Sequence, residues 1–125
     1  MFDRLSVYAP QALAVLRIVA AILFILHGTQ KLIGFPAAEF SPPLMSLFGL
    51  AGLIEIVGGL LILVGFFTRP AAFIAAGEMA VAYWMAHAPN SVFPSNNGGD
   101  AAILFCFVFL YLVFAGPGAW SVNKK

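Results

Sequence analysis

Residues 44–67 read LMSLFGLAGLIEIVGGLLILVGFF, a run in which Glu55 is the one charged side chain. The run is longer than the ~20 apolar residues that a helix needs to cross a hydrocarbon core of about 30 Å. Apolar residues do not alternate with polar ones, so the run is not typical of a membrane-barrel strand. Because a segment in lipid must satisfy its own backbone groups, the run predicts a membrane-spanning α-helix.

Three further apolar runs flank this segment, and together they predict helices over residues 11–33, 44–67, 70–88 and 99–115. The chain of 125 residues is 62% hydrophobic and 9% charged, whereas a soluble domain carries about 25% charged residues. A soluble fold of this size could not bury so much apolar surface. We therefore predict an all-α membrane protein, in which residues 1–125 form a single four-transmembrane-helix antiparallel bundle.

Charge and cysteine content exclude several functions. The net charge of +1, without a basic cluster, argues against nucleic acid as a partner. The single cysteine, Cys106, excludes an internal disulfide and a CxxC redox pair. Arg17 interrupts the first apolar run and no small-residue cleavage site follows it, so we do not expect a cleaved signal peptide. The partner that the composition indicates is the lipid bilayer.

The distribution of basic residues predicts the orientation. On one side of the predicted bundle lie the N-terminal segment, the connection between helices 2 and 3, and the C-terminal tail, which carry Arg4, Arg69, Lys124 and Lys125. The other side has Lys31, with Glu39 and Asp100 beside it. Basic residues concentrate on the cytoplasmic side of membrane proteins. We expect both termini to face the cytoplasm.

Arg17, Glu55 and Glu78 each lie inside an apolar run, not at its end. A charge at the centre of a membrane helix costs ~2.5–3.5 kcal/mol or more, so such residues face the bundle interior and find partners. We expect Arg17 to pair with Glu55, Glu78 or both. Two interpretations remain open: an ion pair that fixes helix packing, or a substrate or proton site, for which one cation and two acids provide an unbalanced charge.

Other residues bear on this site. Gly52, Gly58 and Gly59 share the helical face of Glu55, which favours close helix packing or, alternatively, leaves room for a flat ligand. Nearer the outer side we place a second set of candidates, His27, Lys31 and Asp100, together with Gln30 and His87. Two histidines on separate helices are compatible with a haem or a metal ion, but they are more commonly hydrogen-bonded or interfacial, and we predict no metal site.

The order of several short motifs resembles the DoxX family of membrane proteins from about Leu13 to Asn123. The motifs are Leu16-Arg17-Ile18, Gly28, Lys31-Leu32, Gly34-Phe35, Glu55, Gly58-Gly59, Gly65, Thr68-Arg69, Ala71-Ala72, Gly116-Pro117-Gly118 and Ser121. Asn123 stands where the family often has Asp, so no terminal carboxylate can be assigned a role.

The resemblance implies a four-helix inner-membrane protein with a link to redox metabolism. The family takes its name from a subunit of a thiosulfate:quinone oxidoreductase, and relatives assemble with oxidative-stress enzymes. It thus implies a quinone-linked subunit or accessory of a membrane oxidoreductase, with quinone as the ligand. A homo-oligomer is the alternative to an oxidoreductase partner. Whether the chain is itself an enzyme stays open. The alternatives are a carrier or channel for small molecules, using the same residues, and an assembly scaffold.

Overall fold

The computed structural model describes residues 2–37 and 46–125. A 3-10 segment over Phe2–Tyr8 leads into five α-helices: α1 (Ala9–Ile33), α2 (Leu47–Val64), α3 (Thr68–Ala82), the short α4 (Pro94–Asn97) and α5 (Asp100–Ala115). A π-helical turn, Tyr83–His87, continues α3, and a 3-10 turn, Ala88–Asn90, follows it. Within these described ranges there is no β-strand, which confirms the all-α prediction.

Some helices begin and end close to the limits predicted from the sequence, and others do not. α1 and α5 begin and end within about two residues of their predicted limits, a spread that is usual for helix boundaries. The predicted start of the second helix, at residue 44, lies outside the described residues. In the described part, the Ser46 hydroxyl caps α2 by accepting a hydrogen bond from the Gly49 N–H at 3.4 Å.

The third helix is shorter than predicted, because the chain widens into the π-helical turn at Tyr83. Two side chains of this turn contact Asn97: the Tyr83 hydroxyl accepts a hydrogen bond from its Nδ2 at 3.0 Å, and His87 Nδ1 lies 3.1 Å from its carbonyl oxygen. Single π-helical turns of this kind occur within α-helices, frequently at functional sites. The segment 89–97, between the predicted third and fourth helices, therefore packs against the end of α3.

α1 and α2 form one antiparallel pair. A Cβ on Gly28 would lie 2.8 Å from the Gly52 carbonyl oxygen, and a Cβ on Gly59 would lie 2.5 Å from Ile25 Cγ1. Positions late in α1 therefore face positions early in α2. The absence of side chains at Gly28, Gly52 and Gly59 lets the two backbones approach, as small residues do in membrane helices.

α3 and α5 form a second antiparallel pair. At one end, the Arg69 guanidinium donates hydrogen bonds to the carbonyls of Val113 at 2.9 Å and Phe114 at 2.6 Å. A cation at this position also interacts favourably with the negative end of the α5 dipole. At the other end, the Tyr83 ring leaves no room for a Cβ on Gly99.

The apolar core lies between the two pairs. Phe24 of α1 packs edge-on against Phe109 of α5, with ring centroids 4.8 Å apart, and both side chains are completely buried. Ile62 of α2 and Ala72 and Ala75 of α3 complete the same cluster. The interior is thus filled over the half of the molecule that contains the α2–α3 turn.

The outer surface of the helices is apolar. The stretches Phe2–Ile33 and Leu47–Val64 are long and apolar enough to cross a membrane, and α5 is apolar but has 16 residues. Large side chains such as Val19 on α1 and Leu53 on α2 are about half exposed, whereas Arg17 and Glu55 are completely buried. Helices that are surrounded by lipid are expected to have their charged groups inside and their aliphatic groups outside.

The C-terminal tail folds back over one end of the molecule. The Ala119 N–H donates a hydrogen bond to the Pro10 carbonyl at 3.0 Å, and the Val122 N–H donates one to the Val64 carbonyl at 3.0 Å. The N–H of Arg69 donates to the Lys125 carbonyl at 3.0 Å. The start of α1, the α2–α3 turn and the tail therefore lie together, as the sequence placed them.

Candidate functional site

The structure corrects the partner predicted for Arg17. Its completely buried guanidinium donates hydrogen bonds to carbonyl oxygens of the tail: to Pro117, to Ala119 at 2.9 Å and to Trp120 at 2.8 Å. A longer contact, 3.5 Å, reaches the Leu63 carbonyl. No ion pair of Arg17 occurs among the residues that the structure describes, so the prediction that it pairs with Glu55 or Glu78 is wrong. Arg17 secures the tail.

Lys31 is the partner of Glu55. The Lys31 Nζ lies 2.6 Å from Glu55 Oε1, in a hydrogen-bonded ion pair. Glu55 is completely buried, while 18% of the Lys31 side chain is exposed. Lys31 lies in the last turn of α1, where a cation suits the helix dipole, and its ammonium also lies 5.4 Å from the centre of the Phe48 ring.

Glu78 projects from α3 towards this pair. Its carboxyl group is close enough to interact with the carboxyl group of Glu55 and with the charge of Lys31. Apart from the interaction between the two carboxyl groups themselves, the buried oxygens Glu55 Oε2 and Glu78 Oε1 have no hydrogen-bond partner in the described part of the chain. A buried polar atom without a partner costs roughly 1–3 kcal/mol, so such atoms in a native fold call for an explanation.

His27 lies one turn before Lys31 on α1 and is close enough to Lys31 and Glu55 to interact electrostatically with both. Its ring stands nearly perpendicular to the ring of Phe105, with centroids 5.6 Å apart and planes 87° apart. The imidazole therefore borders the polar cluster on one side and the apolar core on the other.

A cavity of about 820 Å³ adjoins these residues, between the α1–α2 pair and the α3–α5 pair. The polar side chains in its wall are His27, Gln30, Lys31, Glu78 and His87. Most of the remaining wall is aliphatic or aromatic, with Ile54, Met79 and Phe105 among its members. Its size, its apolar wall and its few converging polar groups are typical of a small-molecule site.

The structure thus gathers four of the six predicted site residues. Glu55, Glu78, Lys31 and His27 form one cluster. Arg17 lies elsewhere, under the tail, and Asp100 is exposed at the start of α5 and is not among the residues that line the described cavity. We refer below to Lys31, Glu55 and Glu78 as the charged triad.

The glycines near Glu55 serve packing at two of the three predicted positions. Gly52 and Gly59 touch α1 closely, as described above. A Cβ on Gly58 would meet nothing within 4 Å among the described residues, and none of the three glycines lines the cavity. The wall instead contains Gly77, beside Glu78, which sequence reasoning missed; its signal was a glycine next to an acid inside an apolar run.

Comparison with known proteins gives the family. Residues 12–88 match the model of the family described as DoxX. The chain is 46% identical to an uncharacterized protein of Haemophilus influenzae over 98% of this chain and 96% of that protein. It is 30% identical to inner membrane protein YphA of Escherichia coli over 93% of this chain and 91% of the relative, and 33% identical to inner membrane protein YqjF of the same organism over 88% of each.

No solved structure matches the chain. The family match covers most of the chain, and the relatives align over nearly their whole lengths, so the likeness is not confined to one motif. The resemblance inferred from the order of the sequence motifs is confirmed. This chain belongs to the DoxX family and is a membrane protein.

Proposed function

We propose that this protein binds the head group of a quinone in the cavity beside the charged triad, as an accessory subunit of a membrane oxidoreductase. The observation that carries the proposal is the pair of buried, unpartnered carboxyl oxygens, on Glu55 and Glu78, next to an ammonium group and a cavity of about 820 Å³. Carboxylate oxygens accept hydrogen bonds, so the hydroxyl groups of the reduced form, the quinol, would complete the hydrogen bonding that the described residues leave unfinished.

Quinone chemistry fits these groups. The carbonyl oxygens of a quinone accept hydrogen bonds, and Lys31 and His27 provide donors in the wall of the cavity. Reduction to the quinol takes up two electrons and two protons. Carboxyl groups such as those of Glu55 and Glu78 can exchange protons with a bound oxygen. The electrons would come from a redox-active partner subunit, since the single cysteine cannot cycle an internal disulfide.

The same proposal includes the membrane topology. Residues 1–125 form a single domain in the inner membrane, where α1, α2, α3 with its π-helical turn, and α5 each cross once as an antiparallel bundle. The end that carries the tail and the α2–α3 turn then faces the cytoplasm, because its basic residues include Arg69, Lys124 and Lys125. The charged triad lies in the opposite, outer half.

Binding of a quinone head group to the purified protein tests the proposal. The protein, in lipid nanodiscs, is titrated with the oxidised and the reduced form of ubiquinone that lacks its isoprenoid chain, and each dissociation constant is measured by calorimetry. Glu78→Gln and Glu55→Gln are nearly isosteric and retain hydrogen-bonding capacity. We expect Glu78→Gln, in the cavity wall, to weaken binding of the reduced form by roughly tenfold, the effect of losing one charge-assisted hydrogen bond. Glu55 is not in the wall, so Glu55→Gln should weaken binding through the position of its partner Lys31.

The matched control is Asp100→Asn, which removes an acid at the same end of the molecule but outside the cavity wall. It should bind like the natural protein. Absence of binding by the natural protein would overturn the proposal. So would unaltered affinity in both Glu variants, or a loss that merely follows disappearance of the variants from the membrane, because the charged triad would then be a packing device.

A further inference from the structure

A second recess lies on the surface between α1 and α5. It has a volume of about 260 Å³, and its wall consists of apolar side chains, among them Leu16, Val19 and Leu23 of α1 and Leu104, Phe105 and Val108 of α5. We call it the α1–α5 groove. Several of these side chains are half exposed, as expected for a surface that lipid covers.

The groove adjoins the cavity. Phe105 and Ala101 line both recesses, so one ring and one methyl group form the boundary between them. The Phe105 ring also contacts His27, which lines the cavity. A ligand that occupies the cavity therefore has an apolar groove beside it, on the other side of Ala101 and Phe105.

We propose that the α1–α5 groove holds the apolar chain of the molecule whose polar head lies in the cavity. The inference rests on the proposed function and deepens it: the ligand is a membrane-borne amphiphile with a long hydrocarbon chain, and not a water-soluble quinone. The head group meets the charged triad, and the chain leaves past Ala101 and Phe105.

The direction of the groove agrees with this assignment. Lys31 lies at the end of α1, whereas the α1 residues of the groove, Leu16 to Leu23, lie earlier in that helix. At 1.5 Å per residue, the centre of the groove is roughly 17 Å from Lys31 along the helix axis. A chain that starts at the head group thus runs from one end of the molecule towards its middle, as an acyl chain does from the surface of a bilayer.

The surrounding lipid competes with the ligand chain for the α1–α5 groove. Because lipid tails are as apolar as the groove, a ligand chain gains from shape and packing and not from leaving water. Comparing chained and chain-free ligands alone would mix groove binding with simple partitioning into the bilayer. A variant that fills the groove, compared with one that adds the same bulk elsewhere, separates the two effects.

The test variant is Val19→Trp and its control is Val15→Trp. Both valines lie on α1 with similar exposure, 50% and 52%, but only Val19 lines the described groove. Each variant is reconstituted in nanodiscs and titrated with decylubiquinone and with the chain-free head group. We expect Val19→Trp to weaken binding of decylubiquinone by roughly tenfold, since overpacking of a filled site costs about 1–3 kcal/mol. Its binding of the chain-free head group, and both affinities of Val15→Trp, should stay within about twofold of the natural protein, a change below 0.5 kcal/mol.

A photoreactive diazirine on the ligand chain provides an independent readout. Labelled positions, located by mass spectrometry, should fall within 16–23 and 101–108, and a diazirine on the chain of an ordinary phospholipid should not show this preference. Equal labelling by both probes, or equal effects of the two Trp variants, would overturn the groove assignment while the cavity proposal stands. If neither quinone binds the natural protein, the proposed function fails and the groove assignment with it. Loss of a dimer in Val19→Trp alone, without the change in chain binding, would assign the groove to a second copy instead.

Discussion

At the scale of single residues, the two interior cations have different partners because their shapes differ. The planar guanidinium of Arg17 presents five donors, which suits the cluster of carbonyl oxygens at Pro117, Ala119 and Trp120. The ammonium of Lys31 is a compact charge on a flexible stem, and it pairs with the single oxygen Glu55 Oε1. The first cation stabilises the tail, and the second belongs to the candidate site.

Replacement of Lys31 tests the ion pair. Lys31→Met leaves the Glu55 carboxylate buried without its cation, and breaking a buried pair in this way costs roughly 3–5 kcal/mol. We expect a lower melting temperature of the protein in detergent micelles. The double variant Lys31→Met/Glu55→Gln should recover part of the loss, because no isolated charge remains.

The control for that experiment is Lys124→Met. The exposed Lys124 ammonium donates only to the Gly118 carbonyl and the Ser121 hydroxyl among the described contacts, and exposed polar contacts contribute little. A melting temperature of Lys31→Met equal to that of the control would show that the pair does not stabilise the fold.

Replacement of Arg17 tests the role of the tail contact. Arg17→Met removes the side-chain donors to the carbonyls of Pro117, Ala119 and Trp120, so we expect faster amide exchange and faster proteolysis of residues 116–125. Binding of the quinone head group should stay within about twofold of that of the natural protein, since Arg17 lies away from the cavity wall. Arg4→Met, at an exposed arginine near the N-terminus, is the control. Loss of head-group binding with an intact tail would return Arg17 to the site.

At the scale of helices, the α1–α2 contact depends on positions that tolerate no side chain. A Cβ on Gly28 would come within 2.7 Å of Ile56 Cγ1 and 2.8 Å of the Gly52 carbonyl oxygen. The same contact brings the last turn of α1 against the first half of α2, where Lys31 reaches Glu55. The close approach of the two backbones is therefore what positions the ion pair.

Alanine substitutions at two glycines test this packing. Gly28→Ala should destabilise the protein by about 1–3 kcal/mol, the range for overpacking in a tight interface, as measured by unfolding in denaturant. Gly58→Ala is the matched control, since its Cβ meets nothing within 4 Å among the described residues. Alanine there should be neutral or stabilising by up to ~1 kcal/mol, because it favours the helix. Equal behaviour of the two variants would contradict the close approach at Gly28.

The tail needs glycine for conformational reasons as well. Gly118 has a φ of +76°, and a Cβ there would lie 2.7 Å from the Pro10 carbonyl oxygen. Gly65, in the α2–α3 turn, has a φ of +72° and faces Ser121 with no space for a side chain. The motif Gly116-Pro117-Gly118, with Ser121, therefore provides the backbone conformation and the small side chains that let the tail pack against the helices.

At the scale of the whole molecule, the interiors of the two ends differ: one is packed with side chains and the other contains the cavity. One end carries the tail, the start of α1 and the α2–α3 turn, which are joined by backbone hydrogen bonds. The interior there is packed around Phe24, Phe109 and Ile62. Towards the other end lie the cavity and the charged triad. The candidate site therefore lies in one half of the molecule.

Reporter fusions test the orientation of the molecule. Both termini should be cytoplasmic, because the end with Arg69, Lys124 and Lys125 carries the excess of basic residues. Alkaline phosphatase fused after Lys125 should be inactive and green fluorescent protein fused there should fluoresce. Phosphatase inserted at Asn96 should be active. An active phosphatase at Lys125 would reverse the orientation.

Much of the architecture follows from local features of the sequence. The apolar runs predicted the limits of α1 and α5 to within about two residues. These limits depend on local features: the hydropathy of the run, a proline in the first turn of α1 (Pro10) and a glycine directly after α5 (Gly116). The cost of a charge in lipid likewise predicted that Arg17, Glu55 and Glu78 face inward, and Arg17 and Glu55 are completely buried. These conclusions require only two facts: the surrounding solvent is lipid, and an α-helix has a regular period.

The pairing inside the molecule was decided by the tertiary structure. The position of each charge inside its apolar run led us to expect Arg17 beside the acids, but it does not determine which level of α1 faces Glu55. Arg17 and Lys31 are roughly 21 Å apart along α1, and the contacts of Gly28 with Gly52 and Glu55 place Glu55 at the level of Lys31. The main acceptor groups of Arg17 are backbone carbonyls some 100 positions later in the chain. A carbonyl is common to every residue, so no side-chain pattern marks it as a partner, and only the folded tail brings it within reach.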